Sequence, residues 1–109
     1  KIIGEIWKLG KEEILKIIFE GKNSPYIEKT SFLADVLNVE QQISITYLEK
    51  MAEELSESET GVRELESKIE DLFYPIIYDA MNHRGEYGMC FIDEEGHYEL
   101  MYDDITYFG

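Results

Sequence analysis

Asp79 and His83 stand four residues apart, a spacing that puts both side chains on one face of a helix and offers a carboxylate and an imidazole to a metal ion or a shared proton. His97 and the single cysteine, Cys90, would complete a ligand set if the chain after that helix folds back on it. None of the four belongs to a recognised ligand pair, such as two close cysteines or a histidine doublet. A histidine at a helix C-terminus is also explained by its favourable interaction with the helix dipole. The expectation is no bound metal and no cofactor. Asp93-Glu94-Glu95-Gly96 lacks the ligand spacing and closing glutamate of a calcium loop, and reads as a solvated turn. There is no glycine-rich phosphate loop and no serine flanked by glycines, and Cys90 falls mid-strand, where a buried and inert thiol is expected. The chain is read as a binding protein rather than an enzyme; for catalysis, Asp79, His83 and Cys90 would be the residues to test.

The stronger signal is the distribution of charge. Residues 1–30 hold six lysines against five acids, whereas residues 31–109 hold four basic residues against nineteen acids, which together give the net charge of −14. After Lys68 the only lysine or arginine is Arg84, and ten acids follow, interleaved with Tyr74, Tyr78, Tyr87, Tyr98, Tyr102 and Tyr107. Carboxylates steer a basic partner into encounter and tyrosines supply rigid contact area, so this half of the chain is expected to dock a basic protein. The residues expected to do so are Asp93, Glu94, Glu95, Tyr98, Tyr102, Asp103 and Asp104, with Glu70, Asp71 and Tyr78 on the preceding helix. The competing explanation is a solvated acidic face that serves only solubility.

The same charge argues against direct nucleic-acid binding, which draws its affinity from lysine and arginine on phosphates, and against anionic membrane surfaces. No apolar run approaches the roughly 20 residues needed to cross a bilayer. One cysteine cannot form an internal disulfide and fits a reducing compartment, so a cytoplasmic monomer or homodimer is expected.

The elements that must position these residues read as helices first and strands last. A chain of 109 residues that is 44% hydrophobic can bury one core, so residues 1–109 are expected to form a single domain, helical over 1–82 with a hairpin and tail over 86–108. The fold class is α+β, mainly helical, with four to five helices and a C-terminal antiparallel β-hairpin. Ile2, Ile6 and Leu9 suggest a short helix closed by Gly10, and Lys11 to Glu20 a second stopped by Gly21. Asn23-Ser24-Pro25 reads as a turn or as a cap with proline at the first helical position. Phe32, Leu33, Val36 and Leu37 give another short helix. Asn38 with Gln41 then reads as a capping box opening a helix to about Ser56, carried by Val39, Ile43, Tyr47, Leu48, Met51, Ala52 and Leu55. After a polar break at 56–61, the period resumes from Val62 to Met81, with a kink near Phe73 or a restart at Pro75. Tyr87 to Ile92 and His97 to Tyr102 flank the acidic turn as strands, and Ile105 to Phe108 gives a third strand or a packed tail.

Two resemblances bear on function. Ala34-Asp35-Val36-Leu37-Asn38-Val39-Glu40-Gln41 resembles the first half of a helix-turn-helix, but Ser44 stands where an apolar residue is needed, and the second helix would carry Glu40, Glu49, Glu53 and Glu54 against Lys50. This leaves a winged-helix-like core as architecture, without DNA reading, in a transcriptional accessory protein acting through dimerisation or partner binding. The run from Phe91 to Ile105, with its Asp93-Glu94-Glu95-Gly96 turn, its aromatic strand and Tyr102-Asp103-Asp104, resembles the closing hairpin of small acidic immunity proteins of bacterial toxin systems. That resemblance implies an inhibitor of a toxin, commonly a nuclease. Charge and resemblance together lead to an acidic inhibitor, an immunity protein or phage-type inhibitor, that occludes a basic partner with the carboxylates and tyrosines of its C-terminal half.

Overall fold

The structure, a computed structural model, describes residues 10–21, 24–57 and 61–109; the helix expected over Ile2 to Leu9 and the turn residue Asn23 lie outside them. Four helices and four strands follow in the order α1 (Lys11–Glu20), α2 (Pro25–Asp35), β1 (Val39–Ile43), α3 (Ile45–Ser56), α4 (Gly61–Met81), β2 (Gly88–Ile92), β3 (Tyr98–Met101) and β4 (Thr106–Phe108). The strands form one sheet in the order β1-β2-β3-β4; β1 runs parallel to β2, and the other two pairings are antiparallel.

This sheet overturns the expectation of a helical chain closed by a lone antiparallel hairpin. The error lies at 38–44. Val39 and Ile43 are four residues apart, a spacing that satisfies one helical turn and also two repeats of a strand. The structure takes the second option: Val39, Gln41 and Ile43 point inward while Glu40 and Gln42 are exposed. Gln41 Nε2 donates to the Tyr26 hydroxyl at 3.0 Å, which satisfies one side of an amide on the inner face, while its Oε1 is buried with no partner among the described residues. Asn38 has φ 58°, the left-handed conformation that asparagine tolerates better than most residues, so it turns the chain out of α2 instead of capping a new helix. The cap falls six residues later. Ser44 donates its N–H to Ile92 O at 2.9 Å, still within the ladder, while its hydroxyl accepts from Tyr47 N–H at 3.4 Å to open α3. The segment that a helix-turn-helix would use to enter its second helix is therefore a strand.

Elsewhere local chemistry explains the boundaries. Gly10 N–H donates to Glu13 Oε1 at 2.9 Å at the start of α1. Ser24 caps α2 by accepting from Ile27 N–H at 3.3 Å, with Pro25 at the first helical position, and its own hydroxyl donates to Ile18 O at 2.7 Å, tying α2 to α1. Helix α4 runs unbroken through Pro75, so there is no restart. The donor that Pro75 lacks would have met the carbonyl of Asp71, and both residues lie on the exposed side. No described helix is long and apolar enough to cross a membrane.

The core lies between the helices and one face of the sheet. Ile14 and Ile18 of α1, Leu33 of α2, Leu48, Met51, Ala52 and Leu55 of α3, and Leu65, Ile69, Phe73 and Ile76 of α4 all bury against it. The sheet contributes Val39, Cys90, Ile92, Tyr98, Leu100 and Tyr102. Gly88 lies beneath the Tyr102 ring so closely that an added Cβ would meet Tyr102 Cε1 at 2.6 Å. The opposite face is made of two cross-strand rows, Glu40-Met89-Met101-Thr106 and Gln42-Phe91-Glu99-Phe108. Met89 is 37% and Phe108 73% exposed on it.

Truncation of Ile18 or Leu48 to alanine is expected to cost about 2 to 5 kcal/mol by loss of burial and creation of a cavity. Gly88→Ala is expected to cost about 1 to 3 kcal/mol by overpacking against Tyr102. Chemical denaturation measures all three; wild-type stability for Gly88→Ala would contradict the placement of Tyr102 over β2.

Candidate functional site

The turn between β2 and β3 is built to hold its carboxylates outward. Asp93 Oδ1 accepts from the backbone N–H groups of Glu95 and His97, both at 2.9 Å, and Asp93 N–H donates to His97 O at 2.9 Å. The hydrogen bond from His97 N–H, supported by that from Glu95, holds the Asp93 carboxyl below the usual carboxylate range. Gly96 closes the turn with φ 85° and packs against Tyr47, whose ring an added Cβ would meet at 2.7 Å. Glu94 and Glu95 thereby reach toward α3 and α4, where they line a cleft of about 490 Å³ with Glu54, Asp71, Lys50 and Lys68. Lys68 is 3.6 Å from Glu54.

Asp103 and Asp104 are exposed in the turn between β3 and β4. That turn and the Asp93–Gly96 turn lie at opposite ends of β3, whose four residues span roughly 13 Å at about 3.3 Å each. The acids that the sequence groups together are thus divided into two sets. Asp71 and Tyr78 project from α4 into solvent, Tyr78 with 73% exposure, while Glu70 is half-buried.

Tyr98 and Tyr102, expected as surface anchors, belong to the core at 8% and 7% exposure. The Tyr98 hydroxyl donates to the Asp79 carboxylate, so burial first and this hydrogen bond second push the phenol well above its ordinary value. The His83 ring stacks on Tyr102 at 4.3 Å and 20°, with Nε2 3.0 Å from the Tyr107 hydroxyl and Nδ1 3.2 Å from Glu86 Oε2. Asp79 meets the sheet from the last turn of α4, and His83 lies in the turn just beyond the helix end at Met81, so the two fasten that end of the chain to β3 and β4 without sharing a helix face. His97 sits exposed in the turn and Cys90 is buried, so the four residues do not assemble; among the described residues no group of three or more His, Cys, Asp or Glu side chains is arranged to hold a metal ion. Burial pushes the Cys90 thiol up to about 12, which leaves it protonated and unreactive near neutrality.

Sequence reasoning passed over the open face of the sheet. Its signal was the alternation in Met89, Phe91, Glu99 and Met101, which the apolar residues on both sides of β2 obscured. At its margin Tyr87, half-exposed, donates its hydroxyl to Glu40 Oε2 at 2.7 Å across β1 and the entry to β2.

No family model matches this chain, and no solved structure matches it.

Two tyrosines of similar burial should respond oppositely to loss of the hydroxyl. Tyr98→Phe strips the Asp79 carboxylate of its donor and is expected to cost about 1 to 3 kcal/mol. The Tyr102 hydroxyl is buried without a hydrogen-bond partner among the described residues, so Tyr102→Phe should be neutral or stabilising. Urea midpoints compare them, and equal losses would contradict the Tyr98–Asp79 assignment. Cys90 should resist alkylation at pH 8 in the native state and react once the chain is unfolded, as followed by mass spectrometry; rapid native labelling would place the thiol at the surface.

Proposed function

We propose that this chain is an acidic protein-binding inhibitor, of the immunity-protein or phage-inhibitor kind, that occludes a basic partner such as a nuclease in the cytoplasm, as a monomer or homodimer. The observation that carries this reading is that Asp71, Glu94, Asp103 and Asp104 are exposed and make no ion pair among the described residues. None of them is held in an internal pair among the described residues, so a cationic surface gains attraction without first breaking one. Asp93 and Glu95 each lie 3.8 Å from the His97 ring and make no ion pair with a lysine or arginine among the described residues. Tyr78 supplies the exposed aromatic contact that Tyr98 and Tyr102 do not. The second reading is a transcriptional accessory protein with a winged-helix-like core; the strand at Val39–Ile43 replaces only the helix entry that its helix-turn-helix likeness used.

Separate charge reversals test both ends of the sheet. Glu94→Lys with Glu95→Lys, and Asp103→Lys with Asp104→Lys, should each slow association with a basic partner at low salt by about tenfold and flatten its salt dependence, with little change in melting temperature. Glu12→Lys with Glu13→Lys, on α1, is the control. Binding kinetics against a basic protein recovered from native lysate give the readout. If the α1 pair is as damaging as either turn, or if no basic protein binds at low salt, the inhibitor reading is lost.

A further inference from the structure

Glu99 lies between two phenylalanines on the open face of the sheet. It stands opposite Phe91 in the β2–β3 ladder and opposite Phe108 in the β3–β4 ladder, so the three side chains form one cross-strand row with neighbours about 5 Å apart. The row opens into a cleft of about 630 Å³, lined also by Asp93, His97 and Tyr98. Glu99 makes no ion pair and no side-chain hydrogen bond among the described residues. A half-buried carboxylate flanked by two aromatic rings, at a concave site and without a counter-charge, is an incomplete arrangement.

We propose that the Phe91-Glu99-Phe108 row is an arginine-binding cradle, and that an arginine of the basic partner is its occupant. This rests on the inhibitor reading and moves the centre of the interface from the acidic turns to the sheet. A guanidinium matches the row in two ways: its planar fork pairs with a carboxylate through two parallel hydrogen bonds, and its flat faces stack on aromatic rings. A lysine ammonium satisfies the charge without the plane. A divalent cation would find Glu99 near an Asp93 already engaged by the Glu95 and His97 backbone N–H groups, and no group of ligands able to hold it exists among the described residues. A second copy of this chain would bring its own charge of −14 toward the same face. The neighbouring row, Met89 and Met101 beside Glu40, extends the apolar surface around the cradle as an adaptable contact area. Asp93–Glu95 and Asp103–Asp104, at the two ends of β3, become the flanking charges that guide the partner in.

The probe is a short peptide of alternating arginine and glycine, compared with its lysine counterpart, titrated at low salt into the isotope-labelled protein. The arginine peptide should shift the backbone resonances of Phe91, Glu99 and Phe108 and bind several-fold more tightly than the lysine peptide. Glu99→Gln should weaken it by about tenfold, the loss expected for one charge-assisted pair. Phe108→Leu, which keeps apolar area and removes the ring, should erase most of the preference for arginine over lysine. Both positions face solvent, so unchanged melting curves verify that the fold is intact. Equal binding of the two peptides, indifference to Glu99→Gln, or shifts confined to Asp103 and Asp104 would overturn the cradle. Kinetics with the basic protein partner separate the two proposals. If Glu99→Gln leaves partner affinity intact while the turn reversals reduce it, the cradle fails and the inhibitor reading stands; if the arginine peptide binds the row but no basic protein binds, the inhibitor reading fails and the cradle stands.

Discussion

Two parallel strands cannot be joined by a tight turn, and the pairing of β1 with β2 imposes that rule on the whole molecule. The chain must travel back along the sheet before β2 can begin, and α3 and α4 make the return. Each presents an apolar stripe, Leu48, Met51, Ala52 and Leu55 on one and Leu65, Ile69, Phe73 and Ile76 on the other. Burying both stripes in one core on one side of the sheet, with α3 packed on α1 and α4, satisfies the helices and leaves the other side to the solvent-facing residues of four strands. The division of the sheet into a core face and an open face is thus a result of how β1 is connected.

Tyrosine use follows from the same division. On the core face Tyr98 and Tyr102 fill space between sheet and α4; the Tyr98 hydroxyl meets that helix through Asp79, and the Tyr102 ring stacks on His83 just beyond its end. Tyr107 of the three-residue strand β4 joins the seam through His83. A short edge strand has few ladder bonds of its own, so this side-chain contact supplies fixation that its backbone cannot. The exposed tyrosines, Tyr74, Tyr78 and Tyr87, lie outside that seam. Composition alone could not separate the two groups.

What could be read in the sequence depended on whether a signal was local. The stripes of α1 and α4, the part of α3 from Tyr47 to Leu55 and the Asp93–Gly96 turn are written in contiguous residues and appear where spacing and turn chemistry put them, although α3 opens only at Ile45 and α4 has no restart at Pro75. The strand β1 was not legible because its two apolar residues suit either period and its pairing partner lies beyond two helices. Asn38 added to the ambiguity, since asparagine serves equally at a helix start and in a left-handed turn. For the candidate site, the acids of the two turns were legible as exposed charges. Their division between opposite ends of β3, and the burial of Tyr98 and Tyr102, were not, because both depend on which face of the sheet the helices cover. The Glu99 row required register across three strands, which no single segment encodes.

The connection of β1 also sets an order of events during synthesis. The antiparallel strands β2, β3 and β4 are neighbours in the chain and can pair through short loops, whereas β1 must wait for both helices and for Gly88–Ile92 to emerge before any ladder partner exists. Until then Val39–Ile43 is an extended segment with unsatisfied amides and two exposed aliphatic side chains, the state in which a strand can pair with a neighbouring chain. Glu40 places a negative charge within that segment, and the carboxylates of α3 follow closely behind it. A charge within an edge strand is one of the devices that discourage such pairing, and Glu40 stands on the exposed side of β1.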